Sequence, residues 1–176
     1  RQRQMCIRDR NMVENQIRAN KVTSLNVINA FLDVPREKFV PDALQEISYV
    51  DEDIQLSRNR FMMKPMILAR LFQSLNLKGN ENILHVGSNS GYGSAILSRM
   101  CSSVISLESD KKLFETSIHT FSNMGFDNVV PLHGSMENGV EKEAPFDIIF
   151  IEGSIETEPK SLFGPVSYTH LTLPTT

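Results

Sequence analysis

Four short apolar runs, each followed by a segment of different character, dominate the second half of the chain. They are Ile83–Val86, Val104–Leu107, Val129–Leu132 and Phe146–Ile151. Helix-forming segments lie after the first two runs, and strands that alternate with helices need crossover connections, which produce a parallel sheet. Phe146–Ile151 is apolar almost throughout, as is typical of a strand buried on both faces. We therefore predict an α/β fold with a Rossmann-like, doubly wound, mainly parallel sheet and helices on both faces.

The first half of the chain predicts a helical segment in front of this sheet. Ser24 can cap a helix with an apolar face, and the proline-bounded stretch Val34–Pro41 predicts a turn-rich connector. Pro65 suits the first turn of another helix. We predict that residues 11–81 form this helical segment with a substrate loop, and that residues 82–165 form a partial α/β domain continuous with it.

The loop after the first apolar run has the composition of a ligand-binding turn. It reads Val86-Gly87-Ser88-Asn89-Ser90-Gly91-Tyr92-Gly93. Ligands of open parallel sheets bind beyond the carboxyl ends of the strands. Gly87 and Gly91 allow a sharp turn and close approach of the backbone to a ligand.

An acidic residue strengthens this prediction. Glu108 ends the second apolar run, 21 residues after Gly87, where a carboxylate can accept hydrogen bonds from ribose hydroxyls. The alternative is a surface glutamate that caps the helix beginning near Asp110. Together, the loop and Glu108 favour a cofactor that contains adenosine.

The glycine spacing separates the candidate cofactors. A dinucleotide site needs G-x-G-x-x-G, but position 89 is asparagine and position 92 is tyrosine. The chain also lacks the Gly-Lys-Ser/Thr of a phosphate-binding loop. The spacing 87-89-91 resembles the G-x-G-x-G of class I methyltransferases, with Asn89 in the middle position, so an NAD-dependent oxidoreductase is disfavoured.

Longer stretches of the chain resemble the protein-L-isoaspartate O-methyltransferase family from Met12 to Leu162. The matching stretches are MVENQI, VPREKFVP, ILHVGSNSGYGSAIL, VISLESD and APFDIIF. The resemblance implies an enzyme that uses S-adenosylmethionine to methylate the free carboxylate of isoaspartyl residues in damaged proteins. It also implies a cytoplasmic monomer whose partners are those proteins.

The resemblance also assigns site residues, without a committed catalytic group. The implied substrate-loop residues are Arg60, Met62 and Met63. The implied cofactor-binding residues are Gly87, Ser88, Asn89, Ser90, Gly91, Glu108, Ser109, Ser135, Met136 and Glu152.

Three positions depart from the family pattern. Met63 stands where the family has a serine or threonine, His85 where an acid precedes the glycine loop, and Ser135 where an acid follows the third strand. Met62 and Met63 could line a less polar pocket or simply pack against the core. An alternative is therefore a divergent paralogue that binds S-adenosylmethionine without isoaspartyl activity or methylates another substrate.

Other classes of function have little support in the sequence. The net charge is −3 and the body has no basic, aromatic-lined face, so we expect no nucleic-acid binding. No apolar run is long enough to span a membrane. His119 and His133 have no cysteine or carboxylate at ligand spacing, so we expect no metal site.

Both ends of the chain differ from its body. Residues 1–10 hold four arginines, and residues 166–176 hold four threonines and no charge. Both strings resemble translated sequencing-adapter read-through; ordinary disordered tails are the alternative. We expect these to be artefactual tails, with the last strands of the sheet missing and Phe146–Ile151 left as an exposed edge.

Overall fold

The protein is represented by a computed structural model, which describes residues 7–154, 162 and 171–172. Its first part is the predicted helical segment. Helix α1 (Ile7–Met12) continues through a π-helical turn and a 3₁₀ turn as far as Asn20, and α2 (Leu25–Asp33) follows. The proline-bounded connector contains a 3₁₀ helix at Arg36–Phe39, which confirms its turn-rich character.

Ser24 precedes α2 as predicted, but its side chain makes no capping hydrogen bond. The prediction that the Ser24 side chain caps the helix is therefore wrong. The Oε1 of Gln73 accepts the backbone N–H groups of Thr23 (2.7 Å) and Ser24 (2.9 Å). A distant glutamine thus holds the chain just before the first turn of α2.

Arg60 and Met62, two of the predicted substrate-loop residues, lie in a short antiparallel hairpin. Strand β1 (Ile54–Ser57) pairs with β2 (Arg60–Met62), so that Ile54 lies opposite Met62 and Ser57 opposite Arg60. Helix α3 (Pro65–Ser74) follows at once and has the predicted proline in its first turn. The hairpin and α3 bring the substrate-loop residues to the main sheet.

The four apolar runs form parallel strands, as predicted. The alternating elements are β3 (Asn82–Val86), α4 (Tyr92–Leu97), β4 (Ser103–Glu108), α5 (Lys111–Met124), β5 (Val129–His133) and β6 (Ile148–Ile151). With β7 (Leu171–Thr172) they give the sheet order β5-β4-β3-β6-β7, and every neighbouring pair is parallel. Asp110 caps α5, and Gly125 ends it in a left-handed conformation.

Alternate residues of the strands pack into two cores on opposite faces of the sheet. Ile83, Val104 and Phe150 belong to the larger core, which also receives apolar residues of α2, α3, α4 and α5. The smaller core contains Leu84 and Ile149, and it is covered by residues between 132 and 146 and by Leu162. Within the described residues, α2, α3, α4 and α5 therefore pack on one face, and a 3₁₀ helix (Glu141–Glu143) and the helical Leu162 lie towards the other.

The edge predicted beyond β6 is wrong. β7 pairs with β6, with Leu171 beside Ile149 and Thr172 beside Phe150, so β6 is not the edge strand. The two paired positions fall within the predicted second tail. The predicted end of the first tail, at residue 10, lies inside α1, whose residue Asp9 is buried (1% exposed). No helix in the described part of the chain has the length and apolar character needed to cross a membrane.

Candidate functional site

The carboxyl ends of three neighbouring strands place the predicted site at one edge of the sheet. Gly87 follows β3, Glu108 ends β4 and Glu152 follows β6. The backbone N–H groups of Gly87 and Ser88 both donate to Leu107 O, at 2.9 and 3.2 Å, and the N–H of Glu152 donates to Val86 O at 2.9 Å. The loop is thus tied to both neighbouring strands.

The loop after β3 has the strained backbone that its glycines predicted. The φ angles of Gly87, Asn89 and Gly91 are 76°, 55° and 93°, in the left-handed region. A Cβ atom on Gly91 would lie 2.4 Å from the ring of Phe121, so packing against α5 also demands glycine there. The Asn89 side chain donates to Gly87 O at 3.1 Å and stabilises the turn.

Glu108 is fully buried and organises the loop. Its Oε2 accepts the N–H of Asn89 at 2.7 Å, and its Oε1 accepts the N–H groups of Ser109 (2.9 Å) and Asp110 (2.8 Å). The alternative of a surface glutamate that caps α5 is therefore wrong. Asp110 caps that helix, and the hydrogen bond from the Leu113 N–H holds the pKa of its carboxyl below the usual value.

Arg60 reaches this site from the hairpin. Its Nη2 donates to Glu108 Oε2 at 2.5 Å and lies 3.4 Å from the sulfur of Met136. The Arg60 side chain is 17% exposed and that of Glu108 is 1% exposed, so the ion pair is largely shielded from water. The structure thus joins a predicted substrate-loop residue to two predicted cofactor-binding residues.

Glu152 lies on the other side of the glycine loop, beside His85. The His85 Nε2 is 3.1 Å from Glu152 Oε2, but the contact lacks hydrogen-bond geometry, and both atoms are buried without another partner. The His85 Nδ1 is 2.7 Å from Ser94 Oγ, which in turn bonds Ser106 Oγ. His85 is therefore a core histidine that fixes the surroundings of Glu152.

Several polar atoms around the loop are buried and lack a hydrogen-bond partner. They are Asn89 Oδ1, Ser90 Oγ and Arg60 Nε. Buried polar groups are nearly always paired in folded proteins. A cluster of unpaired ones at the carboxyl edge of a sheet fits the place of a polar ligand.

The other predicted site residues lie at the margin of this edge. Ser88 is buried, and its hydroxyl is 3.4 Å from Leu107 O. Ser109 is exposed, and its backbone oxygen lies 3.1 Å from Nε2 of His133. Met136 is partly buried, whereas Ser135 beside it is exposed.

Comparison with known proteins identifies the family. The family model described as "Protein-L-isoaspartate(D-aspartate) O-methyltransferase (PCMT)" matches residues 7–167. The chain belongs to this family.

Individual relatives agree with that assignment. The chain is 34% identical over 154 residues to protein-L-isoaspartate O-methyltransferase 2 of Anaeromyxobacter sp. (strain Fw109-5), a match that covers 88% of this chain and 63% of that protein. It is 33% identical over 160 residues to protein-L-isoaspartate O-methyltransferase 1 of Syntrophobacter fumaroxidans, which covers 91% of this chain and 74% of the relative. The chain thus spans less than two thirds of the Anaeromyxobacter protein.

Solved structures show the same fold at lower identity. A protein-L-isoaspartate O-methyltransferase superposes with a TM-score of 0.81 at 23% identity, covering 90% of this chain and 52% of the other. A Plasmodium falciparum protein described as the same kind of enzyme, in complex with S-adenosyl-L-homocysteine, has a TM-score of 0.77 at 24% identity and covers 90% and 79%. The Rossmann-like methyltransferase fold is therefore confirmed.

The backbone of the predicted substrate loop is held by Arg36, a residue to which the sequence analysis gave no role. Arg36, in the VPREKFVP stretch, is fully buried; its Nε donates to Ser48 O at 2.7 Å and its Nη2 to Met63 O at 2.9 Å. Its guanidinium lies 4.9 Å from the ring centre of Tyr92. Burial lowers the pKa of Arg36 and raises that of Tyr92.

The two methionines of the substrate loop differ in their surroundings. Met62 is 1% exposed within the larger core, so of the two interpretations its packing role is the one that the structure favours. Met63 is only partly buried, and Arg36 fixes its backbone carbonyl. Met63 is therefore the less buried of the two predicted substrate-loop methionines.

Proposed function

We propose that this chain is an S-adenosylmethionine-dependent methyltransferase that acts on the carboxylate of isoaspartyl residues in damaged proteins. The observation that carries the proposal is the buried carboxylate of Glu108 at the end of β4, beside the strained glycine loop, in a chain of this family. The names of the relatives and the S-adenosyl-L-homocysteine bound to the Plasmodium protein support it.

The residues at the sheet edge fit such a cofactor. Glu108 would accept hydrogen bonds from the ribose hydroxyls, and the loop around Gly87 allows close approach of the backbone. The unpaired Asn89 Oδ1 and Ser90 Oγ can meet other polar groups. When bound, the cofactor supplies a methyl group on a positively charged sulfur.

The chemistry asks little of the protein beyond alignment. A substrate carboxylate is ionised at neutral pH, so it needs no general base. The chain contributes by holding the acceptor oxygen against the methyl group. Arg36 stabilises the backbone of the substrate loop at Met63, and the hairpin holds that loop beside the glycine turn.

The oligomeric state and the compartment that we propose are those that the family resemblance implies. The enzyme would act as a monomer in the cytoplasm, with isoaspartyl-containing proteins as its partners. The chain has two cysteines, too few for a disulfide framework, which agrees with a reducing compartment. Gel filtration of the full-length protein would test the monomer.

Replacing Glu108 by alanine should weaken S-adenosylmethionine binding at least about tenfold. Hydrogen bonds to a charged group are worth about 1.5–3 kcal/mol each, and about 1.4 kcal/mol corresponds to a factor of ten. Titration calorimetry of the full-length protein would measure the change. NAD should bind neither the parent nor the variant.

Glu115→Ala is the matched control for this experiment. Glu115 is exposed on α5, where its carboxylate is 3.9 Å from Lys111 Nζ. Its loss should leave cofactor affinity unchanged. If the Glu108 variant bound S-adenosylmethionine as tightly as the parent and the control, our placement of the adenosine site would be wrong.

Replacing Met63 by serine should raise the rate of isoaspartyl methylation. The change restores a hydroxyl at the family's serine or threonine position, where it can orient the acceptor carboxylate. Radioactive methyl transfer to an isoaspartyl peptide by the full-length protein would measure the rate. Met66→Ser, in the first turn of α3, is the control and should give no increase. An unchanged rate in the Met63 variant, with cofactor binding intact, would favour a divergent substrate.

A further inference from the structure

The hairpin carries a positive charge into the proposed cofactor site. Arg60 opens β2, and its Nη2 donates to Glu108 Oε2 although the two residues are 48 positions apart. Ser57, which lies opposite Arg60, donates from Oγ to Asp110 Oδ2 at 3.0 Å. The hairpin is therefore attached to the end of β4 at two neighbouring carboxylates.

Arg60 already binds the carboxylate that we propose for the ribose hydroxyls. Glu108 Oε2 already accepts both Arg60 Nη2 and the Asn89 N–H. The same Nη2 atom lies 3.6 Å from the position of a Cβ on Gly87, directly against the loop. While the guanidinium stays there, Glu108 has too few free acceptor positions to accept hydrogen bonds from two ribose hydroxyls.

We propose that Arg60 exchanges partners during the reaction. It neutralises Glu108 while the site is empty, and it is displaced when the ribose takes Glu108. The released guanidinium then binds the acceptor carboxylate of the substrate. This inference rests on the proposed function and adds a residue that recognises the acceptor, together with an order in which cofactor binds first.

The energetics favour both halves of the exchange. A buried carboxylate without a cation or donor is costly, so Arg60 stabilises the empty site. A guanidinium presents a planar fork that matches a carboxylate in two hydrogen bonds. The buried Nε of Arg60 has no partner beside Glu108, so the fork is not fully used in that position.

The hairpin itself offers little apolar resistance to a movement of Arg60. Strand β2 has three residues, and the neighbouring Phe61 is 48% exposed, so little apolar surface anchors this strand on its outer side. Met62, on the inner side, is 1% exposed in the core and fixes the end of the strand. The tip of the hairpin, at the exposed Arg58 and Asn59, is therefore held by little apolar packing.

The chemistry agrees with a temporary carboxylate partner. One oxygen of the acceptor carboxylate forms the new bond to the methyl carbon, while the carbon–sulfur bond breaks and its electron pair stays on sulfur. No proton moves in this step. The product ester is neutral and loses its attraction to Arg60, which can return to Glu108 as the products leave.

Arg60→Gln tests the inference with two readouts. Calorimetry of the full-length protein with S-adenosylhomocysteine should show binding about five- to tenfold tighter than in the parent, because the internal competitor is gone. Steady-state methylation of an isoaspartyl peptide should show the KM for the peptide raised at least about tenfold, with a smaller change in kcat. In both measurements, Arg60→Lys should give values between those of the parent and those of Arg60→Gln.

Arg58→Gln is the matched control. Arg58 is exposed in the turn of the same hairpin, so the variant makes the same change of charge two residues away. It should behave as the parent in both measurements. Circular dichroism would show that all the variants are folded.

The remaining outcomes separate this inference from the proposed function. Unchanged or weaker cofactor binding in the Arg60→Gln variant, or a tighter complex with an unchanged KM, would overturn the exchange and leave the proposed function standing. Binding of S-adenosylhomocysteine by the Arg60→Gln variant, with no binding by the parent, would support the exchange. Absence of S-adenosylhomocysteine binding in the folded parent and in every variant would overturn both.

Discussion

Replacing Arg36 by methionine is expected to lower the free energy of unfolding by about 3 kcal/mol. The side chain donates to the backbone oxygens of Ser48 and Met63, and each buried acceptor left unpaired costs about 1–3 kcal/mol. The contact with the Tyr92 ring is also lost. Methionine avoids the desolvation of a buried charge, which offsets part of this loss and keeps the net value below the sum.

Arg18→Met is the matched control, because it removes an exposed arginine and so shows what the loss of any arginine costs. Arg18 is 43% exposed and pairs with Glu14 one helical turn away, an arrangement worth about 0.3–0.5 kcal/mol. Urea unfolding of the full-length protein, followed by circular dichroism, would give both values. Equal losses in the two variants would contradict a structural role for Arg36. The Arg36 variant should also bind the acceptor peptide more weakly, because the Met63 backbone is no longer held.

The sequence was most informative where the structure depends on local patterns. The strands were found because each is a short apolar run of the length that a buried parallel strand needs. Gly87 and Gly91 predicted a turn, and both residues have positive φ angles. Glu108 was found by its spacing from that turn, since β3 and β4 are adjacent and end at the same edge.

Contacts between distant segments could not be predicted in this way. Arg60 and Glu108 were both singled out, but nothing in their spacing indicated that they form an ion pair. Arg36 was quoted within a motif and given no role, because a single sequence does not distinguish a buried arginine from an exposed one. The available signal was the position of Arg36 between two prolines, in a stretch that matches the family.

Short elements were the other source of error. The hairpin has four- and three-residue strands joined by Arg58 and Asn59. Ile54–Ser57 alternates apolar and polar residues, but four residues are the shortest run in which alternation predicts a strand. β7 has two residues, and its pairing with β6 depends on the open edge of a neighbour. The expected Ser24 cap is absent, and the side chain of Gln73, 49 positions away, holds the backbone there. In each case tertiary contacts decided the structure.

Replacing Gly87 by alanine should reduce the affinity for S-adenosylhomocysteine at least about 30-fold, a loss of about 2 kcal/mol. The added Cβ would lie 2.8 Å from the backbone oxygen of Glu152. That oxygen cannot move away easily, because the N–H of Glu152 is bonded to Val86 O at the end of the sheet. The turn must shift instead, and it carries the Asn89 N–H away from Glu108 as well as closing the approach to the ligand.

Gly79→Ala distinguishes this overlap from backbone strain. Gly79 has a φ of 100°, but a Cβ there would meet no atom within 4 Å. Its variant should pay only the strain of a left-handed residue, about 1–2 kcal/mol of stability, and should bind S-adenosylhomocysteine as the parent does. Calorimetry and thermal unfolding of both variants in the full-length protein would separate the two effects. If the Gly87 variant bound S-adenosylhomocysteine as tightly as the parent, the cofactor could not lie against the turn after β3.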